Sequence, residues 1–167
     1  MLKGFFDDKL VQSDGAILGF LRKMGLRPTR TSRSLTIKGP YRLKGGTFSL
    51  RDCPDLAPIM AVTAMFADGP TRLKDIAHAR VKESDRISDL RQELLKVGAN
   101  IEEKADELII RPRSSYSGGV ELDPHCDHRL AMAFAVLGLR IGVTVRDMEC
   151  TAKSYPQFWA HLKQLSA

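Results

Sequence analysis

The sequence predicts a mixed α/β (α+β) fold that is built from a repeated unit of about 70 residues. Two observations predict this class. Apolar residues recur at helical spacing in two stretches of the chain that lie 73 positions apart. Short strands and polar turns then follow both helices in the same order. Such a succession of helices and strands is typical of proteins with packed α and β layers.

Each unit begins with an amphipathic helix. Residues 13–25 place apolar side chains on one helical face, and residues 84–98 repeat this pattern. Gly25 and Gly98 end the two helices. The apolar positions that match at an offset of 73 are Ile17 and Leu90, Leu21 and Leu94, and Met24 and Val97. A hairpin strand follows each helix, at residues 35–37 and at residues 108–110.

The second part of each unit is a strand, an apolar helix and a further strand. An acidic residue opens each apolar helix, Asp55 in the first copy and Asp127 in the second. After the last strand of each copy comes a lysine, Lys82 or Lys153. The strands predicted in this part cover residues 47–50, 73–76, 120–122 and 145–148.

These patterns predict a single domain over residues 1–167 that holds two copies of the unit. We expect unit one at about residues 13–80, unit two at about 84–153, and a closing helix at about 155–165. One unit cannot bury both faces of its own sheet, so the helices of the two copies should pack against each other. The first dozen residues resemble the tail of a preceding unit, so we expect the chain to be part of something larger.

The composition indicates a globular protein with a real core. The chain has 167 residues, of which 43% are hydrophobic, and a net charge of +6. A basic balance is compatible with nucleic-acid binding. The cations are scattered, however, and only three Tyr and one Trp are present for base stacking, so we expect no nucleic-acid partner.

The cysteines and the apolar runs bear on the setting of the protein. Cys53, Cys126 and Cys150 have unrelated spacings, which fit neither a disulfide framework nor a zinc site. No run of eighteen apolar residues occurs, and two carboxylates interrupt the apolar start of the chain. We therefore expect a cytoplasmic protein without a membrane partner.

Charged residues gather at equivalent positions of the two copies. In stacked repeats such positions face the same side, so Lys82, Arg86, Arg129 and Lys153 should lie near Asp55, Glu83 and Asp127. Helix N-termini favour bound anions, whereas cations in a first helical turn are locally unfavourable. Cations in two first turns therefore indicate a site for a shared anion, with carboxylates available to move protons.

Simpler interpretations remain open for the same residues. Asp55 and Asp127 could be only N-caps, and Glu83 could be only an acid near a helix start. Lys82 and Lys153 could be solvated surface lysines, and His128 could merely satisfy a helix end. The repeat favours the functional interpretation because it brings together residues that are distant in the sequence.

Several motifs resemble the 5-enolpyruvylshikimate-3-phosphate synthase family. They are RVKESDR at 80–86, DCPD at 52–55, DHRLAMA at 127–133 and CTAKSYPQF at 150–158. The resemblance implies βαβαββ units with helices packed inside and sheets outside. It also implies that the chain is most of the C-terminal domain of a two-domain enzyme, whose active site lies between the domains.

The resemblance further implies transfer of the carboxyvinyl group of phosphoenolpyruvate to the 5-hydroxyl of shikimate 3-phosphate, with release of phosphate and with no metal or organic cofactor. Asp55 matches the proton acceptor, Glu83 the proton donor, and Lys82 a lysine at the reacting hydroxyl. Shikimate 3-phosphate would contact Asp55, Lys82 and the position of His78. The residues that match the phosphoenolpyruvate-binding cations are Arg86, Arg129 and Lys153, and Asp127 and His128 are expected to support them.

The chain also departs from the family pattern. The family often has Asn where His78 stands, and the part of the site that an N-terminal domain supplies is missing here. We therefore expect the isolated chain to be inactive until the missing N-terminal domain is present. We expect the complete enzyme to be a monomer. The alternatives are a UDP-amino-sugar enolpyruvyl transferase, whose mobile-loop cysteine is not found, a nucleic-acid-binding domain built on the same repeat, and a non-catalytic remnant.

Overall fold

A computed structural model describes residues 2–3 and 13–166 of the chain. Nine strands and five α-helices form in these residues. The helices are α1 (Ala16–Lys23), α2 (Ala57–Met65), α3 (Arg86–Lys96), α4 (His128–Ile141) and α5 (Phe158–Ser166). The strands are β1 (Leu2–Lys3), β2 (Thr29–Arg30), β3 (Ser34–Thr36), β4 (Thr47–Ser49), β5 (Thr71–Lys74), β6 (Asn100–Lys104), β7 (Glu107–Arg111), β8 (Val120–Leu122) and β9 (Val143–Val145).

The order of elements is the same in both halves of the chain. A helix, a two-stranded hairpin, a strand, a helix and a strand run from α1 to β5, and the same series runs from α3 to β9. A 3-10 helix follows each series, Ala77–Val81 in the first half and Met148–Lys153 in the second. The predicted mixed α/β class is confirmed.

Some element boundaries differ from the prediction, for local reasons. The helix expected from residue 84 begins at Arg86, because Asp85 is its N-cap and accepts from the backbone N–H of Ser88. The last strand of the second half ends at Val145, and Asp147 then has a left-handed φ of 41°. The closing helix begins at Phe158, after Pro156, because proline disfavours helical geometry in the residue before it.

The sheets connect the two halves. The central sheet has the order β4-β5-β7-β6, in which β4 and β5 are parallel and β5 pairs with β7 in an antiparallel register. Strands from the end of the first half therefore pair with the hairpin of the second half. In the first sheet, β1 pairs with β3 in the same antiparallel way. Most of the segment expected to be the tail of a preceding unit, residues 4–12, lies outside the described residues.

The core lies where α2 and α4 pack against each other, with α2 also against the central sheet and α4 against β9. Helix α2 is buried around most of its circumference, which is expected for a helix that is apolar on every side. Its buried residues are Ala57, Pro58, Met60, Ala61, Val62, Ala64 and Met65. On α4, Leu130, Phe134 and Leu137 are fully buried. This packing sets the N-termini of α2 and α4 side by side.

Gly45 and Gly118 hold equivalent places in the two halves, 73 positions apart. A Cβ atom at Gly45 would overlap the carbonyl oxygen of Pro70, and one at Gly118 would overlap that of Ile141. Glycine thus allows two backbone segments to approach closely at each place. None of the described helices is both long and apolar enough to cross a bilayer, and the three cysteines are free thiols.

Candidate active site

The repeated elements bring the predicted charged residues together. Asp55 lies in the 3-10 helix Pro54–Leu56 that leads into α2, and Asp127 is the N-cap of α4. Lys82 follows one 3-10 helix, and Lys153 ends the other. Because α2 and α4 pack side by side, these four places face one region. Equivalent positions of the two halves therefore contribute to one surface of the candidate site.

Arg86 is the centre of this cluster. Its guanidinium donates to three carboxylates: Nε to Asp127 Oδ2 at 2.7 Å, Nη1 to Asp55 Oδ1 at 2.6 Å, and Nη2 to Glu83 Oε2 at 2.9 Å. The Arg86 side chain is only 1% exposed. A buried charge needs such partners, and the planar guanidinium can serve several carboxylates at fixed angles. Arg86 thus links Asp127 and Glu83 into one network.

The other three cations surround this centre. Lys153 Nζ donates to Glu83 Oε1 at 2.9 Å. Lys82 Nζ lies 3.8 Å from Asp55 Oδ1, and Arg129 Nη2 lies 3.4 Å from Asp55 Oδ2. In the structure, the cations and carboxylates that the sequence analysis grouped therefore form one continuous network. This network spans both halves of the chain.

The network changes the acidity of its carboxyls. The hydrogen bond from Lys153 is the main cause that lowers the pKa of Glu83 to about 2, although burial opposes the shift. For Asp55, burial acts to raise the pKa, but the hydrogen bond and charge of Arg86 outweigh burial and lower it. Both groups are therefore carboxylates near neutral pH in this state of the site.

The N-cap alternative applies to only one of the two aspartates. Asp127 accepts from the backbone N–H groups of Arg129 and Leu130, so it caps α4 while it also binds Arg86. Asp55 makes no cap hydrogen bond, and its oxygens face cations instead. The N-cap alternative is therefore wrong for Asp55 and correct, but incomplete, for Asp127.

The two histidines that the sequence analysis selected lie in different surroundings. His128 begins α4 and is 7% exposed, and burial lowers its pKa. His78 is exposed on the 3-10 helix Ala77–Val81. It lines a separate open cavity of about 230 Å³ together with Arg51, Asp75, Ala77 and Asp106. The structure thus places His128 at the cluster, whereas His78 lines a different cavity and takes no part in the ion-pair network as described.

Sequence reasoning missed Asp14. Asp14 Oδ2 accepts from Arg129 Nη1 at 2.7 Å, and the two residues are 115 positions apart in the chain. The repeat offered a signal for it, since position 13 matches Arg86 at the offset of 73 and the start of α1 is therefore equivalent to the start of α3. Asp14 itself belongs to no repeated pattern of charged or apolar residues, so the sequence provided no reason to select it.

Arg80 was also not selected, and it anchors the loop that carries Lys82 and Glu83. Its Nη1 contacts Asp85, Ser88 and Glu103, at 2.8 to 3.2 Å. Its Nε and Nη2 donate to the carbonyl oxygens of Ala105 and Lys104. The whole guanidinium is therefore engaged in fastening the start of α3 to the β6–β7 turn.

Unpaired polar atoms concentrate at the cluster. Among the described residues, four buried side-chain atoms near it lack a hydrogen-bond partner: Asp14 Oδ1, Ser84 Oγ, His128 Nδ1 and Arg129 Nε. Native proteins pair almost all such atoms, either within the protein or with water or ligand. An apolar cavity of about 190 Å³ between α2 and α4 opens beside Asp55 and Arg129. These features are typical of a site that receives a polar ligand.

Comparison with known proteins identifies the family of the chain. The sequence profile of the family described as EPSP synthase (3-phosphoshikimate 1-carboxyvinyltransferase) matches residues 2–162. The chain belongs to the EPSP synthase family. A 3-phosphoshikimate 1-carboxyvinyltransferase of Syntrophobacter fumaroxidans is 42% identical over 158 residues, which cover 94% of this chain and 37% of the relative. A chloroplastic family member from Nicotiana tabacum is 40% identical over 93% of this chain and 32% of its own length.

Solved structures share the fold. An EPSP synthase from Acinetobacter baumannii superposes with a TM-score of 0.80 at 30% identity, over 91% of this chain and 38% of that protein. The enolpyruvyl transferase NikO from Streptomyces tendae, at 20% identity, has a TM-score of 0.79 and shares the fold alone. The chain thus spans about a third of the length of the Syntrophobacter fumaroxidans and Nicotiana tabacum relatives.

Proposed function

We propose that this chain supplies the C-terminal part of an enzyme that moves the carboxyvinyl group of phosphoenolpyruvate to the 5-hydroxyl of shikimate 3-phosphate, with release of phosphate. In this proposal, two units at about residues 13–80 and 84–153 and the closing helix form most of the C-terminal domain. The observation that carries the proposal is the network centred on Arg86, in which cations and carboxylates from both halves converge.

Asp55 and Glu83 are assigned the proton transfers. The attacking hydroxyl must lose a proton, and the methylene carbon of phosphoenolpyruvate must gain one. Asp55 is ionised and partly exposed, as a base that accepts the hydroxyl proton must be. Glu83 is assigned the protonation of the methylene carbon. Lys82, which lies 3.8 Å from Asp55, is assigned to hold the reacting hydroxyl near that carboxylate.

The cations are assigned to phosphoenolpyruvate, whose carboxylate and phosphate need several positive partners. Arg129 has a buried Nε without a partner among the described residues, so it can accept a further anion. Lys153, at 63% exposure, is the most open of the four cations. Arg86 is fully paired with carboxylates, so direct binding of phosphoenolpyruvate by Arg86 requires one of them to move.

His78 and His128 receive subsidiary roles. His78 is exposed on the 3-10 helix Ala77–Val81, and its assignment to shikimate 3-phosphate follows the family resemblance alone. His128 and Asp127 support the site from the buried start of α4. The proposed chemistry needs proton transfers and fixed positive charges, and it assigns no step to a metal or an organic cofactor.

The isolated chain is proposed to be inactive. Its network forms one wall, with Lys82 and Lys153 open to solvent, whereas transfer between two bound substrates needs an enclosed site. The chain spans 37% of the Syntrophobacter fumaroxidans relative, which leaves the remainder to form the opposite wall. We therefore propose that an N-terminal domain of the same enzyme is the partner of this surface, in a monomer that binds no nucleic acid.

Nuclear magnetic resonance titration tests the binding part of the proposal. Phosphoenolpyruvate and shikimate 3-phosphate should shift backbone amide signals of residues 82–86, 127–129 and 151–153. Arg129→Met should remove the response to phosphoenolpyruvate. Arg140→Met is the matched control, because Arg140 is exposed in the last turn of the same helix and should leave the response unchanged.

Two results would contradict this proposal. One is salt-dependent, tight binding of RNA or DNA together with no response to either substrate, which would favour a nucleic-acid-binding domain. The other is phosphate release by the isolated chain at ordinary enzyme rates when both substrates are added. The second result would refute the incomplete site while leaving the assigned reaction intact.

A further inference from the structure

Glu83 is held by two cations in a way that conflicts with its assigned reaction. Lys153 Nζ donates to Oε1 and Arg86 Nη2 donates to Oε2, both at 2.9 Å. Each oxygen of the carboxylate is therefore already a hydrogen-bond acceptor from a positive group. A proton on either oxygen would face a cation at hydrogen-bond distance, which is strongly unfavourable. In this arrangement Glu83 has no proton to give.

The remaining charged groups around Glu83 do not relieve the conflict. Burial acts to raise its pKa, and the cations outweigh that effect. His128, from the start of α4, is close enough for its charge to interact with Glu83, but burial favours its neutral form. Asp55 and Asp127 compensate the charge of Arg86, but neither replaces Lys153. Lys153 is thus the cation whose removal would change Glu83 most.

The position of Lys153 makes such a removal possible. Its side chain is 63% exposed and belongs to the 3-10 helix Met148–Lys153, whereas Arg86 is 1% exposed. An exposed lysine ion pair is weak, and its ammonium can turn to a stronger anion at little cost. Phosphoenolpyruvate offers a phosphate and a carboxylate, and the proposed function assigns it to this same lysine.

We propose that Lys153 and Arg86 keep Glu83 ionised in the resting site, and that an anionic substrate which engages Lys153 allows Glu83 to take up the proton that it then donates. This inference rests on the proposed function, because it names the event that prepares Glu83 for its step. The proton comes from solvent water when the anion binds, forms an O–H bond on Glu83, and passes to the methylene carbon of the bound substrate. The negative charge of the substrate adds to the effect, since a nearby anion favours a neutral carboxyl group.

Removal of the lysine provides the first test. In the chain labelled with 13C at glutamate carboxyl carbons, the Glu83 signal should remain that of a carboxylate down to about pH 3, well above its pKa of about 2. Lys153→Met should raise the titration midpoint of Glu83 by about one unit or more, a tenfold change in its proton dissociation constant. An unchanged midpoint in Lys153→Met overturns the inference.

Lys96→Met is the matched control. Lys96 Nζ donates to Glu93 Oε2 at 2.7 Å, so this variant removes the same charge and the same kind of ion pair at a place away from Glu83, on α3. The midpoint of Glu83 should not change in this variant. A change equal to that of Lys153→Met would mean that net charge, rather than the contact with Lys153, controls Glu83, and it would also overturn the inference.

Phosphoenolpyruvate provides the second test, with sodium chloride at the same ionic strength as the reference. It should raise the midpoint of Glu83 by about one unit or more in the unmodified chain, and by less in Lys153→Met. If it shifts the amide signals of Lys153 and Arg129 but leaves Glu83 unchanged, the inference is wrong and the proposed function stands. If it shifts no amide signal, the proposed function fails, while the response of Glu83 to Lys153→Met still decides whether the lysine holds the carboxylate.

Discussion

Asp55 and Asp127 stand at equivalent places in the two halves of the chain, before α2 and at the start of α4, and their surroundings differ. Asp127 is 0% exposed, caps α4 and binds the buried Arg86. Asp55 is 30% exposed, caps no helix and faces Arg86, Arg129 and Lys82. The repeat thus supplies a carboxylate at both helix starts. One of them is buried within the fold, and the other is partly open to solvent.

The largest expected effect is a loss of stability on substitution of Asp127, the buried member of this pair. Asp127→Ala leaves the charge of Arg86 without its most buried partner and removes a helix cap. It should lower the free energy of unfolding by about 3–5 kcal/mol. Urea unfolding of the chain measures this. Glu121→Ala is the control, because Glu121 pairs with Arg146 on the surface and should cost less than about 1 kcal/mol. Equal losses in the two variants would contradict the distinction.

Asp55→Asn should show the opposite behaviour. Asparagine retains an oxygen that can accept from Arg86, so the free energy of unfolding should stay within about 1 kcal/mol of the parent chain. The loss of the base should lower enolpyruvyl transfer by about a hundredfold or more, once the rest of the enzyme is supplied. Phosphate release measures the transfer. An Asp55→Asn variant that unfolds easily, or that retains full activity, would remove the contrast with Asp127.

Glu83 gives a smaller effect that depends on pH. Its pKa is about 2 in the folded chain and ordinarily 4.5. The stability that it contributes is therefore present above pH 4.5 and is lost as the pH falls toward 2. Glu83→Gln should reduce the difference in unfolding free energy between pH 5 and pH 3. Urea unfolding at the two pH values checks this, and an undiminished difference would mean that Glu83 is not held by its cations.

The smallest expected effect is at Asp14. Asp14→Asn weakens the contact with Arg129, so the guanidinium should be less well oriented. The affinity for phosphoenolpyruvate should fall by at most about fivefold. Asp52→Asn is the control, at an exposed aspartate. Amide shifts on titration with phosphoenolpyruvate measure the affinity. Tighter binding in Asp14→Asn would show that Asp14 competes with the substrate instead of positioning Arg129.

Much of this arrangement could be predicted from the sequence because it is repeated. An offset of about 73 positions matches α1 with α3 and Asp55 with Asp127 in the sequence. One periodic pattern therefore predicts both the elements and the side on which their charges meet. The lysines that follow the two series were selected in the same way. A repeat makes positions far apart in the chain comparable, which single residues do not.

The contacts between side chains could not be predicted in this way. Neither the burial of Arg86 nor the contact between Asp14 and Arg129, which are 115 residues apart, has a local signal. Both depend on how elements that are distant in the chain pack together. Likewise, His78 and Lys82 lie close together in the sequence, but the Lys82 side chain is near Asp55, whereas His78 lines a separate cavity with Arg51. Periodicity gives the position of a backbone element, whereas the direction of a side chain depends on tertiary structure.

The most direct test of the central claim is phosphate release by a hybrid chain. This chain covers 37% of the Syntrophobacter fumaroxidans relative, and the proposed arrangement assigns the remainder to an N-terminal part, which the hybrid joins before residues 1–167. With phosphoenolpyruvate and shikimate 3-phosphate, we expect steady phosphate release by the hybrid and none by the chain alone. A hybrid that binds both substrates but releases no phosphate would contradict the assignment of Asp55, Lys82 and Glu83 to the reaction.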